Sequence, residues 1–148
     1  RGMVGRRRDT PEVLDRYALR EILEAAAARL AAQTASQAEI DFIEAAQAAF
    51  EAAGDDVLER GRRNQVLHQA VFQAARNRYL DAALLDMQDV LALLGPTTFG
   101  VEGRPATADR EHRAIVAAIR GRDPDGAEAA ARAHMRAALQ ARIALLAA

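Results

Sequence analysis

Apolar residues recur along this chain at three- and four-residue steps, and no useful stretch alternates with period two. That pattern predicts helices and no strands in the body of the protein. Leu14, Tyr17, Leu19, Ile22, Leu23 and Leu30 mark a first helix, from Thr10-Pro11-Glu12 to about Gln33. Its start pairs a cap residue with a proline at the first helical position. Ser36 and Glu39 have the spacing of a capping box, and Ile40, Ile43 and Phe50 continue a second helix that Gly54 ends. Asp55-Asp56 places negative charge at the start of a third, which carries Val57, Leu58, Leu67, Val71 and Phe72. It reaches Arg76-Asn77, where Asn77 is suited to a left-handed C-terminal position. A fourth helix runs from Tyr79 to Leu94 and stops at Gly95-Pro96. Residues 95–106 read as one long loop, Thr107 as the cap of a fifth helix, and Asp123-Pro124 as the start of a sixth that continues to the end. The expected fold is an all-α, antiparallel bundle of about six helices around a central pocket.

Composition narrows the chemistry. The 148 residues fit one domain, and about a quarter of them are Ala, which lets helices approach closely. There is no Cys, so disulfides, zinc–thiolate sites, Fe–S clusters and thiol catalysis are excluded. No run of 18 apolar residues suggests a membrane span, and no signal peptide is evident, so a soluble cytoplasmic protein is expected. The formal net charge is −1, yet Arg1, Arg6, Arg7 and Arg8 crowd the first eight residues and leave the remainder at −5. The division is therefore a basic segment, residues 1–10, read as a linker or the remnant of a preceding module, and a helical domain over residues 11–148.

The chain has three histidines, and each falls in an apolar helical stripe. His68 follows Val57, Gly61 and Asn64 and precedes Val71 and Phe72; His112 lies between Ala108 and Ile115; His134 lies between Ala130 and Ala138. One such histidine alone is more often a satisfied core residue. Three on three different helices, with none elsewhere, point to a shared partner, because burying imidazoles without one is costly. Neutral imidazoles suit a divalent metal. Asn64 stands four residues before His68, on the same helical face, so its amide oxygen can reach the same ion. The metal candidates are thus Asn64, His68, His112 and His134, with Zn or Ni as the ion and Mn as a further option.

Three segments resemble a known family. Asn64 to Val71, continued by Ala74-Ala75-Arg76-Asn77-Arg78-Tyr79-Leu80, is similar to the D-x-x-F-H…A-x-x-N-x-x-L signature of the FCD domain. Glu111-His112 through Ile119, followed by Asp123 and Ala133-His134, resembles that domain's closing pattern. Tyr17 through Glu24 with Ala26 through Ala32 is similar to its opening helix. The FCD domain is the C-terminal effector-binding domain of FadR-subfamily GntR transcription regulators. The resemblance implies a dimeric, non-enzymatic sensor in which an Asp and three His hold a divalent ion that helps bind a small carboxylate or hydroxy-acid effector. His68, His112 and His134 match the three histidines; Asn64 stands at the Asp position, which puts metal affinity in question. Arg20 matches an opening-helix Arg able to pair with a carboxylate effector, and Asn77 matches another motif position, as a candidate effector contact or a cap. The family's winged helix-turn-helix is not recognisable here, so operator DNA would be contacted only through that missing N-terminal part.

Two rival readings remain open at this stage. One is a three-histidine metalloenzyme of the DinB type; against it, Glu111 points away from its neighbour His112, and no other inward carboxylate is evident. The other is a dimerisation bundle whose histidines satisfy one another. Glu24 and Asp15 read as solvated or ion-pairing residues.

Overall fold

The computed structural model describes residues 2–92 and 97–147, and side chains are described outside residues 2–9 and 89–92. Six α-helices follow one another: α1 (Gly2–Thr34), α2 (Gln37–Ala52), α3 (Val57–Ala74), α4 (Arg78–Ala92), α5 (Arg104–Arg120) and α6 (Pro124–Ala147). A short 3-10 helix, Thr98–Gly100, precedes α5. No strand occurs among the described residues, and the fold is an all-α bundle. None of its helices is long and apolar enough to cross a membrane, among the described residues.

Local signals account for most of the boundaries. Ser36 accepts from the Glu39 backbone N–H at 3.1 Å while the Glu39 carboxylate accepts from Ser36 N–H at 2.8 Å, completing the capping box of α2. Gly54, at φ 59°, turns the chain out of α2. Asp56 caps α3 through the Glu59 N–H at 3.1 Å, and Asp123 caps α6 through the Gly126 N–H at 3.0 Å.

Three expected boundaries are corrected. α1 does not start at Thr10-Pro11 but runs back to Gly2 with Pro11 inside it. Proline's fixed φ is itself helical, so the interior position costs one missing N–H and some crowding rather than the whole helix. The left-handed residue after α3 is Arg76, at φ 55°, and not Asn77. Asn77 is occupied instead in capping α4, its Oδ1 accepting from the N–H groups of Tyr79 and Leu80 at 3.1 and 3.0 Å. Finally, α5 begins at Arg104, after Gly103 at φ 77° and with Pro105 in the first turn, so the loop is shorter than the expected 95–106. Thr107 lies within that turn and donates to the Arg104 carbonyl at 3.0 Å. The expected end of α4 at Leu94 and its stop at Gly95-Pro96 lie outside the described residues.

α1 packs most extensively on α6 and also touches α3, α4 and α5, while α5 lies on α6 and α2 on α3 and α5. The alanines explain the closeness. Ala28, Ala31 and Ala32 of α1 meet Ala127 and Ala131 of α6 in a core completed by Ile40, Ile43, Leu67, Val71, Ile115 and Ile119. Small side chains on facing helices bring backbones together, and the larger aliphatic residues of α2, α3 and α5 fill the space left. Ion pairs line the rim of the α1–α6 seam: Arg29 to Asp125 at 2.6 Å, and Arg132 and Arg136 to Glu21 at 3.1 and 3.2 Å.

Candidate metal centre

His68 from α3, His112 from α5 and His134 from α6 meet in the interior, each at most 5% exposed. Their ring centroids lie 4.6–5.3 Å apart, and one ligand nitrogen from each falls within 4.8 Å of the others. The helical stripes that carry them are the reason: each histidine takes the place of an apolar side chain on the face its helix turns inward.

Every ring is oriented through Nδ1. His68 Nδ1 lies 2.8 Å from a Glu24 carboxylate oxygen, His112 Nδ1 2.9 Å from Gln47 Oε1, and His134 Nδ1 2.6 Å from Glu111 Oε1. The carboxylates can only accept at pH 7, so His68 and His134 donate from Nδ1–H. The Gln47 amide is oriented by its other end, whose Nε2 donates to Glu51 at 2.8 Å, so Oε1 faces His112 and that ring also carries its proton on Nδ1. The Nε2 lone pairs are left for another partner. Nε2 of His68, Nε2 of His112 and Oδ1 of Asn64 are buried with no hydrogen-bond partner. Orphaned acceptors on two adjoining rings, with a third on Asn64 one helical turn before His68, are unusual in a folded interior. Such an arrangement suits a cation, and outer carboxylates or amides that fix the tautomer are a recurrent feature of histidine metal sites.

The electrostatics agree. Burial, reinforced by the neighbouring histidines, pushes the His112 pKa well below the usual imidazole range. Burial also lowers His134, to about 4, against the opposing pull of the Glu111 hydrogen bond. Both rings are therefore neutral near pH 7, the state that ligates a metal. Burial acts to raise the Glu24 carboxyl, but Arg20 and His68 outweigh it and hold the group well below the ordinary range. Glu111 is likewise lowered, its burial outweighed by His134 and Arg104.

A cavity of about 420 Å³ opens beside the histidines. Asn64, His68 and His134 line it together with Tyr17, Arg20, Arg104 and Arg142. Arg20 pairs with Glu24, and Arg104 Nη1 donates to both Glu111 oxygens at 2.9 Å while its buried Nε has no partner. Phe50 backs the site, its ring centroid 4.7 Å from that of His112, and the Arg60 guanidinium lies over the Phe50 ring at 4.6 Å.

The predicted residues thus divide. Asn64, His68, His112, His134 and Arg20 come together; Asn77 does not, and lines a separate depression with Phe72, Gln73, Arg76 and Arg78. The expectation that no inward carboxylate lies near the histidines is corrected, since Glu24 is 5% exposed and Glu111 partly buried against His134. Glu24 and Gln47 carry a legible signal, because each is a polar residue within an apolar stripe, as the histidines are. Glu111 and Arg104 carry none, since their roles depend on how α5 leans against α6. The histidines do not satisfy one another: their Nδ1 atoms bond to Glu24, Gln47 and Glu111.

No characterised protein matches by sequence. The solved structure of E. coli McbR/YncC shares the fold, with a TM-score of 0.70 at 16% identity over 94% of this chain and 64% of that one. This chain therefore spans a little under two thirds of the length of that protein. Residues 15–137 match the FCD domain, and the chain belongs to that family.

Proposed function

We propose that this chain is the effector-sensing domain of a GntR-type, FadR-subfamily transcription regulator, binding a divalent metal and, beside it, a small carboxylate or hydroxy-acid. The carrying observation is the set of three buried histidines whose Nδ1 atoms are all tied outward, leaving Nε2 for a common ligand. His68, His112 and His134 would hold the ion, with Asn64 Oδ1 as a fourth donor. Zn and Ni suit three imidazole nitrogens and one oxygen, and Mn is a weaker match to so nitrogen-rich a set. When bound, the ion supplies a Lewis-acidic charge to which a carboxylate oxygen can attach. The arginines on the cavity wall, Arg20 among them, supply donors for the remaining oxygens.

Effector binding would bias the packing of α1, α3, α5 and α6 around the cavity, and with it a winged helix-turn-helix joined to this domain. Homodimerisation and operator contact through that module belong to the same reading. A three-histidine metalloenzyme is disfavoured by a specific observation. Glu24 and Glu111 both accept from Nδ1 and are paired with arginines, so they orient the rings and are not poised as free bases at the Nε2 side.

Mass-spectrometric metal analysis of protein purified without a His-tag tests the reading. About one equivalent of a late first-row ion is expected, together with a thermal shift on adding small carboxylates. Protein that neither retains nor takes up any such ion would remove the metal from the proposal.

A further inference from the structure

A dication in this site would find little negative charge waiting for it. The donor set is formally neutral, consisting of the amide of Asn64 and three imidazoles. The two carboxylates behind the histidines are already committed, Glu24 to Arg20 and Glu111 to Arg104, and both arginines line the adjoining cavity. A buried charge left without compensation is strongly disfavoured. The missing negative charge can come from the cavity, where Arg104 Nε is buried and unpartnered.

We infer that this chain binds its metal and its anion as a unit, each strengthening the other, with Asn64 the residue that makes metal binding depend on the anion. The inference rests on the metal reading above and deepens it. Its ligand class is a carboxylate able to place one oxygen on the ion and another against the arginine wall, as a 2-hydroxycarboxylate does. Linkage requires the two effects to be equal: the factor by which the anion tightens the metal is the factor by which the metal tightens the anion. A sensor built this way responds to the pair and only weakly to either member.

The test is a titration of metal-free, tag-free protein with Co²⁺ at buffered free metal, followed by its visible absorption, in carboxylate-free buffer and again with glycolate. Wild type is expected to bind Co²⁺ about 10-fold or more tightly with glycolate, within the usual range of coupling factors. Glycolate affinity, measured calorimetrically, should rise by the same factor with Co²⁺. Asn64→Asp should bind Co²⁺ tightly without the anion and lose most of the glycolate dependence, because the carboxylate supplies the charge in place.

If wild type binds Co²⁺ equally well with and without glycolate, the inference fails while the metal site stands. An Asn64→Asp protein that gains no affinity, with its helical circular dichroism intact, also overturns it. If neither protein takes up Co²⁺ under any of these conditions, the metal reading falls and the inference falls with it.

Discussion

Single atoms decide the chemistry of this centre. A histidine can donate or accept at either nitrogen, and here Glu24, Gln47 and Glu111 select Nδ1 as the donor in all three rings. Removing that selection should weaken the site without removing a ligand. Glu24→Gln is expected to lower metal affinity about 10- to 100-fold, the range seen when partners behind metal-bound histidines are changed. It also leaves Arg20 without its carboxylate, so the metal-free protein should lose about 3–5 kcal/mol of stability, as broken buried pairs do. A competition titration against a chromophoric chelator and a urea melt read the two effects separately; unchanged affinity would show that Glu24 does not orient His68 for ligation.

At the scale of the helices, caps and turns were the most legible features, because they depend on residues close in sequence. The capping box at Ser36 and the start at Asp123-Pro124 are formed as expected, and Asp56, expected only to place negative charge at the start of α3, also caps it. The misplaced starts of α1 and α5 have a common cause: Thr10-Pro11 and Thr107 each offer a sound local cap, yet the helix extends further back at both places. A local signal says where a helix can begin and not where it must. Asn77 gives a discriminating prediction at this scale. Its side chain caps α4 at an exposed position, so Asn77→Ala should cost about 1 kcal/mol in a denaturant melt. Metal and carboxylate affinity should be unchanged, and a loss of either with stability intact would assign Asn77 to the effector.

For the whole molecule, the buried histidines and the ion-pair network together set the response to acid. Glu39 is lowered first by its hydrogen bond from the Ser36 backbone, while Glu44 and Glu51 are lowered first by side-chain bonds from Arg120 and Arg113. A depressed carboxyl contributes stability that is present above its unfolded pKa, near 4.5, and lost as pH falls through the lower folded value. The buried histidines act earlier: His134, lowered to about 4, and His112, lowered well below 6.5, stay neutral in the fold while the unfolded chain takes up protons below about 6.5, so the melting temperature of metal-free protein should fall from about pH 6.5 downward. The surface pairs should add a smaller loss below about 4.5, because they are largely solvated. High salt should reduce the same contribution, so a thermal scan in pH and NaCl checks both. Metal acts separately: at a free concentration 100-fold above Kd it should add about 2.7 kcal/mol at neutral pH, and chelation should remove that increment.

The helices, the all-α class and the alanine-lined seams could be read from residue order, because hydrophobic periodicity and capping are short-range properties of the chain. The histidines could be singled out for the same reason, as polar residues on faces that had to turn inward. Which residue pairs with which histidine could not. Glu24 and His68 are 44 positions apart, and Gln47 and His112 are 65 apart. Local pattern carries no information on such distances. Only the packing of α1 and α2 against α3 and α5 brings these groups together, and only that packing leaves Nε2 of His68 and His112 and Oδ1 of Asn64 buried without partners, whereas the Arg20–Glu24 and Arg104–Glu111 pairs each lie within one helix.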